Sequence, residues 1–203
     1  MKLRNLGQFG IAPVGLRRIV LCHPRDGRNA EDDSLAQRAG LGVFASRGQV
    51  RVVRDAPNFG QRSLVSDPGS AIASPFGWHD TDGADGADYT ITRGNNVYAY
   101  EDRNDADLPG YSPDGGTNLQ FDFPLDFTQA PEVNQDAVIT NLFYVNNMMH
   151  DILYLHGFDE EAGNFQENNY GKGGMEVDQV LAEAQDGGGT SNANFSAPED
   201  GFN

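Results

Sequence analysis

The stretch of residues 135–157 (QDAVITNLFYVNNMMHDILYLHG) constrains the fold of this chain more than any other segment. Its apolar side chains recur at intervals of three and four residues, the spacing of one face of a helix. Gly157 follows as a residue that commonly ends a helix. The sequence therefore predicts one long helix over about 136–156. The apolar positions are Val138, Leu142, Val145, Met149, Ile152 and Leu153.

Around this helix the sequence is dense in turn-forming residues, as in DTDGADGAD at 80–88 and in the Gly- and Asn-rich stretch at 163–174. Between the turns lie short alternating or apolar runs, which favour short strands. The fold class is therefore predicted to be α+β, mainly β apart from the helix. The predicted strands and apolar runs are 49–54, 89–92, 118–123 and 177–184.

Charge divides the chain into unlike parts, since residues 1–62 carry a net +6 and residues 63–203 carry −22. An acidic surface repels phosphate backbones and anionic lipid headgroups, so we expect no nucleic-acid and no membrane partner. The segment 63–73 (SLVSDPGSAIA) has the composition of an exposed linker. We expect a basic leader or propeptide remnant at 1–62, a linker or processing region at 63–73, and a folded domain at 74–203.

Catalytic motifs are missing from the sequence. The four histidines are His23, His79, His150 and His156, and none belongs to the H-E-x-x-H pattern of a zinc peptidase helix. His150 and His156 are about 240° apart on a regular helix, so they do not share one ion. Cys22 is the single cysteine and no G-x-S-x-G elbow occurs, so a Ser or Cys nucleophile is unsupported.

Two segments can be interpreted either as binding sites or as ordinary turns and loops. Asp80, Asp82, Asp85 and Asp88 could supply oxygen ligands to calcium, but their spacing does not match an EF-hand loop, and solvated turns are favoured. The segment 190–196 (TSNANFS) could be an edge strand that pairs with an extended peptide, or an ordinary Asn-rich loop. The residues alone favour the loop.

Five runs in unbroken order over residues 65–203 resemble the fungalysin family of extracellular metalloproteinases. Each run is weakly specific alone, whereas the five together are highly specific. The runs are SPFGWHDTDG (74–83), TRGNNVYAYED (92–102), PDGGTNLQFDFPLD (113–126), TNLFYVNNMMHDILYLHGFDEEAGNFQENNYG (140–171) and AEAQDGGGTSNANFSAPEDG (182–201).

The resemblance implies a secreted zinc endopeptidase with a thermolysin-like catalytic domain, which cleaves proteins or peptides with zinc-activated water. It also implies a zymogen whose own propeptide acts as an inhibitor before processing. In such enzymes an H-E-x-x-H helix and a later Glu hold the zinc, and these would lie C-terminal to residue 203. The chain is then an N-terminal part of the catalytic domain, truncated before the zinc-binding helix and inactive alone.

By the same resemblance, the Asn192 and Ala193 pair on an edge strand binds the backbone of the substrate. No catalytic residue and no metal ligand is carried over, because no position in this sequence matches one. The alternative hypothesis is an acidic, β-rich extracellular module that binds peptides without cutting them and is stabilised by calcium.

Overall fold

The predicted long helix is present in the computed structural model, which describes residues 18–21, 49–52, 62–190 and 193–202. Helix α1 spans Gln135–Leu155 and follows a 3₁₀ turn at Pro131–Asn134. Gly157, two residues beyond α1, has a φ of 92°, a conformation that glycine adopts without strain. The predicted helix and its glycine stop are confirmed.

The strands in the described ranges are short, none longer than five residues, and they form two sheets. In chain order they are β1 (Arg18–Leu21), β2 (Gln49–Val52), β3 (Ser63–Ser66), β4 (Val97–Glu101), β5 (Gln120–Phe121), β6 (Val180–Ala184) and β7 (Phe195–Ser196). One sheet has the order β4-β6-β1-β7 and the other the order β3-β2-β5. Parallel pairing joins β4 to β6 and β6 to β1, whereas β7 runs antiparallel to β1.

The α+β class is confirmed by one long helix and these strands. Strands β2, β5 and β6 fall inside three of the predicted runs. The strand predicted at 89–92 is wrong, because this segment forms only a single bridge between Ile91 and Asp114. The Arg93 N–H bonds back to the Ile91 carbonyl at 2.7 Å, and this three-residue turn ends the extended run.

The core lies where α1 packs against β4 and β6. Val97 and Ala99 of β4 and Ala182 of β6 are completely or almost completely buried. Gly94 lets the chain before β4 approach Trp78, since an added Cβ would lie 1.6 Å from the Trp78 carbonyl oxygen. The main buried residues of the cluster are Trp78, Val97, Ala99, Leu119, Phe121, Ile139, Leu142, Phe143, Tyr144, Val180, Ala182 and Ala184.

The burial of α1 differs from what its apolar spacing suggests. Of the six periodic apolar positions, only Leu142 is buried and Val138 is half-buried. The other four are exposed, whereas Asn147 and Asp151 are buried on the opposite side. Polar side chains with hydrogen-bond partners therefore occupy the inward face in the second half of the helix. No helix in the described part of the chain is long and apolar enough to cross a membrane.

Candidate functional site

In the sequence, the predicted substrate-binding pair precedes β7, the strand at the edge of the four-stranded sheet. Ala193 is exposed, and Asn192 lies outside the described residues. β7 pairs with β1 on one side, with Phe195 opposite Ile19. A strand at a sheet edge offers unpaired backbone groups on its other side, as peptide addition requires.

Aromatic contacts hold β7 against the rest of the molecule. Phe195 is 53% exposed, and the centroid of its ring lies 6.4 Å from the centroid of the Phe165 ring. Phe165 in turn lies 5.3 Å from Phe158, just beyond the end of α1. This row of three aromatic rings links the edge strand to the end of the helix.

Asp178 and Asp200 fasten the chain that follows β7 to the Asn-rich loop. The Asp178 side chain accepts hydrogen bonds from Gln166 N at 2.8 Å and from Gly201 N at 2.9 Å. Asp200 accepts from Met175 N at 3.0 Å. The loop at 163–178 is thus a support for the edge segment.

Asp151 of α1 anchors the loop at 70–78 to the helix. Its buried carboxylate accepts hydrogen bonds from Ser70 N at 2.8 Å, Ser74 Oγ at 2.7 Å and Trp78 Nε1 at 2.9 Å. His150 Nδ1 lies 3.1 Å from the same carboxylate. Sequence reasoning missed Asp151, because the three residues that donate to its carboxylate lie more than 70 positions away along the chain.

Buried asparagines extend this polar network. Asn96 Nδ2 donates to Asn147 Oδ1 and to Ser74 Oγ, both at 3.1 Å. Asn95 and Asn168 exchange side-chain and backbone hydrogen bonds at 2.8 and 2.9 Å. Sequence reasoning treated the stretch 163–174 only as a loop, yet hydrogen bonds between Asn95 and Asn168 fix its middle against the chain before β4. The repeated Asn pairs at 95–96, 146–147 and 168–169 were the available signal.

The described histidines do not form a zinc site. His79 is buried, its Nδ1 donates to the Arg93 carbonyl at 3.1 Å, and its ring stacks on Phe121. Burial lowers the pKa of His79 to about 4. His150 faces Asp151 and Asn164, and His156 is exposed. His23 lies outside the described residues.

Clusters of carboxylates do occur in the part of the chain that the structure describes. Two groups have ligand atoms within 4.8 Å of one another, and neither contains a nitrogen or sulfur ligand. Catalytic zinc is held mainly by imidazole nitrogen together with carboxylate or thiolate. The residues of these groups therefore do not fit a catalytic zinc ion. The groups are Asp80 with Asp82 and Asp88, and Asp102 with Asp107 and Glu183.

In the first group the aspartates accept hydrogen bonds from their own loop and from Tyr170. Asp80 Oδ1 accepts from Gly83 N at 2.9 Å and from the Tyr170 hydroxyl at 2.8 Å. Asp88 Oδ2 accepts from the Thr81 amide and hydroxyl, at 2.7 and 2.8 Å. Burial raises the pKa of Asp80, and the nearby carboxylates raise it further. Apart from the Tyr170 contact, these contacts are those of turn-forming aspartates, and Asp85 lies outside the group.

In the second group a loop aspartate meets a strand glutamate. Asp102 Oδ1 and Oδ2 accept from Ala106 N and Asp107 N at 2.9 and 3.0 Å. The Tyr100 hydroxyl donates to Glu183 Oε1 at 3.1 Å. Pairing of β4 with β6 brings these acids together. The sequence did not predict this contact, because the two strands are far apart along the chain.

Comparison with known sequences identifies the family. The sequence profile described as Fungalysin metallopeptidase (M36) matches residues 49–203. This chain belongs to the fungalysin metallopeptidase family. The resemblance of its five runs to that family is thereby confirmed, and the match begins within the basic segment, before residue 63.

Several named fungal proteins are similar to this fungalysin chain. The extracellular metalloproteinase mep of Aspergillus flavus is 47% identical over 148 residues, which are 71% of this chain and 23% of that protein. Extracellular metalloproteinase 2 of Arthroderma otae is 46% identical over 149 residues, with the same shares. The "Probable extracellular metalloproteinase 2" of Arthroderma benhamiae is 45% identical over 151 residues, 72% of this chain and 23% of that protein. The matched part is thus about a quarter of each relative.

Proposed function

We propose that this chain forms the N-terminal part of the thermolysin-like catalytic domain of a secreted, extracellular zinc metalloendopeptidase. The observation that carries the proposal is the fungalysin match over residues 49–203. The relatives at 45–47% identity are named extracellular metalloproteinases, which supports both the activity and the location. The substrates are then proteins or peptides.

The role we propose for the chain is to hold substrate rather than to perform the chemistry. Its described residues do not fit a catalytic zinc ion, so we expect the zinc ligands and the general base in a later part of the full-length protein. The chain alone is then inactive. The prediction of an inhibitory propeptide in the full-length zymogen belongs to the same proposal.

The substrate contact we propose is the edge segment at Asn192 and Ala193. The position of Ala193 next to the edge strand β7, and its exposure, support this role. An extended peptide would pair with free backbone groups there, and the Asn192 side-chain amide would add one hydrogen bond. The loop that supports β7 through Asp178 and Asp200 would keep this edge in place.

A chimera tests the proposed function. Residues 49–203 would replace the matched segment of the Aspergillus flavus relative, and zinc content and casein cleavage would be measured. We expect a zinc-dependent protease, because the rest of that protein would supply what this chain lacks. A chimera that folds, binds zinc and still fails to cleave casein would contradict the proposal.

The edge contact is tested within the same chimera by Asn192→Ala, with Asn194→Ala as the matched control. We expect kcat/KM to fall for Asn192→Ala by roughly fivefold, since one backbone-directed hydrogen bond contributes about 1 kcal/mol. The Asn194→Ala variant should stay close to the parent. Equal effects of the two substitutions would refute a specific role for Asn192.

The proposed domain limits can be tested separately. We propose that residues 1–62 are a leader or propeptide remnant and that 63–73 is a processing region. Limited proteolysis followed by N-terminal sequencing should then give a stable product that begins within 63–73. A stable product that begins near residue 49, where the family match starts, would show instead that the boundary lies earlier.

A further inference from the structure

The segment Asn194-Phe195-Ser196 has a chemistry that the proposed peptidase role does not use. It has the form N-x-S with a residue other than proline in the middle, the acceptor pattern for N-linked glycosylation. In the printed sequence no other asparagine is followed at the second position by serine or threonine. The pattern therefore marks one position only.

The structure places this pattern on the surface. Asn194, Phe195 and Ser196 are all exposed. Within the described residues, the hydrogen-bond network of the interior does not include the Asn194 amide or the Ser196 hydroxyl. Ser196 and Phe195 are neighbours on β7, so their side chains point to opposite faces, and the Phe195 ring is the one that contacts Phe165.

Asn194 differs from the buried asparagines of the chain. Asn164-Phe165-Gln166 has the same first two residues, but Asn164 is 0% exposed and its Nδ2 lies 3.4 Å from His150 Nε2. Most other described asparagines near the core are likewise buried and bonded; they include Asn95, Asn96, Asn146, Asn147 and Asn169. Asn194 differs from these in both exposure and sequence context.

We propose that Asn194 carries an N-linked oligosaccharide. In the transfer, the Asn194 amide nitrogen attacks the anomeric carbon of an oligosaccharide carried on a lipid diphosphate. A C–N bond forms, the C–O bond to the diphosphate breaks, the lipid diphosphate leaves with the electron pair, and the amide proton is lost to a base. The donor is supplied by the secretory pathway, so the inference rests on the proposed extracellular location.

The glycan has a consequence for the edge strand. Along an extended backbone Asn194 points away from the face that Ala193 and Phe195 share. A glycan there hinders the approach of a second β-sheet, which is the usual hazard of an exposed edge.

The test is translation of the full chain, behind a cleavable secretion signal, in the presence of endoplasmic-reticulum microsomes. Removal of the signal and protection from added protease identify the translocated chains. We expect these to gain one endoglycosidase-sensitive gel shift, with a glycosylated Asn194 in peptide mass spectra. The Asn164 peptide should stay unmodified.

Three variants complete the test. Asn194→Gln and Ser196→Ala should lose the shift entirely, and Ser196→Thr, which preserves the acceptor pattern, should keep it. Translocated parent chains without glycan would overturn the proposal, as would a shift that persists in Ser196→Ala. Because the added signal provides entry to the pathway, failure here leaves the metallopeptidase proposal untouched, and an inactive chimera leaves the glycan site untouched.

Discussion

The two faces of helix α1 reverse the expected relation between hydropathy and burial. The inward face of its second half holds Asn147 and Asp151, both buried and hydrogen-bonded. The outward face holds Met149, Ile152 and Leu153, all exposed. Whether a side chain in the second half of α1 faces inward therefore depends on its hydrogen-bond partners. The apolar stripe alone does not predict which side of the helix is buried.

The reversal indicates how this fungalysin chain is held together. Buried polar groups are stable only when they are hydrogen-bonded, so each one fixes the geometry of its partners. Asp151 fixes the loop that begins at Ser70, and Asn147 fixes Asn96 beside β4. The apolar core at Leu142 and Phe143 adds burial energy without such directional contacts.

The largest effect is expected from Asp151→Ala, which removes the acceptor of three hydrogen bonds. Ser70 N, Ser74 Oγ and Trp78 Nε1 lose a partner in the interior, and we expect a loss of about 4 kcal/mol in the free energy of unfolding. Urea unfolding measures the loss. Asp85→Ala, on an exposed aspartate, is the control and should change stability by less than about 0.5 kcal/mol. Similar losses in both variants would contradict the anchoring role of Asp151.

A matched pair of leucines compares the two faces directly. Leu142 is 2% exposed and Leu153 is 40% exposed, and both lie on α1. Leu142→Ala should cost about 3 kcal/mol through lost burial and a residual cavity. Leu153→Ala should cost less than about 1 kcal/mol. Equal losses in urea unfolding would show that the outward face is packed in solution.

Much of this architecture could be predicted from the sequence. Spacing of apolar residues predicted α1, because a helical period persists over many residues, and five ordered runs indicated the family. The contacts of Asp151 could not be predicted, since they join residues 73 to 81 positions apart. The contact of Asp102 with Glu183 could not be predicted either, because it depends on the pairing of two strands that are distant in sequence. For the edge segment, the residues alone favoured a loop and the family resemblance implied an edge strand, and the sheet order has β7 at an edge.

A smaller effect is expected from pH. Burial holds the pKa of His79 at about 4, below its ordinary value of 6.5, so the unfolded chain binds more protons between these pH values. This contribution to stability is complete above pH 6.5 and is lost as the pH falls towards 4. At pH 5 the loss is about 2 kcal/mol.

The variant His79→Asn isolates this contribution, because its side-chain amide can still donate to the Arg93 carbonyl. Unfolding free energies at pH 7 and pH 5 should differ less in the variant than in the parent, by about 2 kcal/mol. Asp80, whose pKa is raised, changes stability with pH in the direction opposite to His79. Parent and variant share this contribution, so it cancels in their difference. An identical pH dependence of parent and variant would contradict a neutral, buried His79.

The most direct measurement is the zinc content of the purified 203-residue chain in zinc-containing buffer, together with casein cleavage. The described residues form a hydrogen-bonded scaffold with an edge strand, and neither of their two carboxylate clusters contains a histidine. We therefore predict far less than one tightly bound zinc ion per chain and no cleavage. One zinc ion per chain, with casein cleavage that a chelator abolishes, would contradict this account.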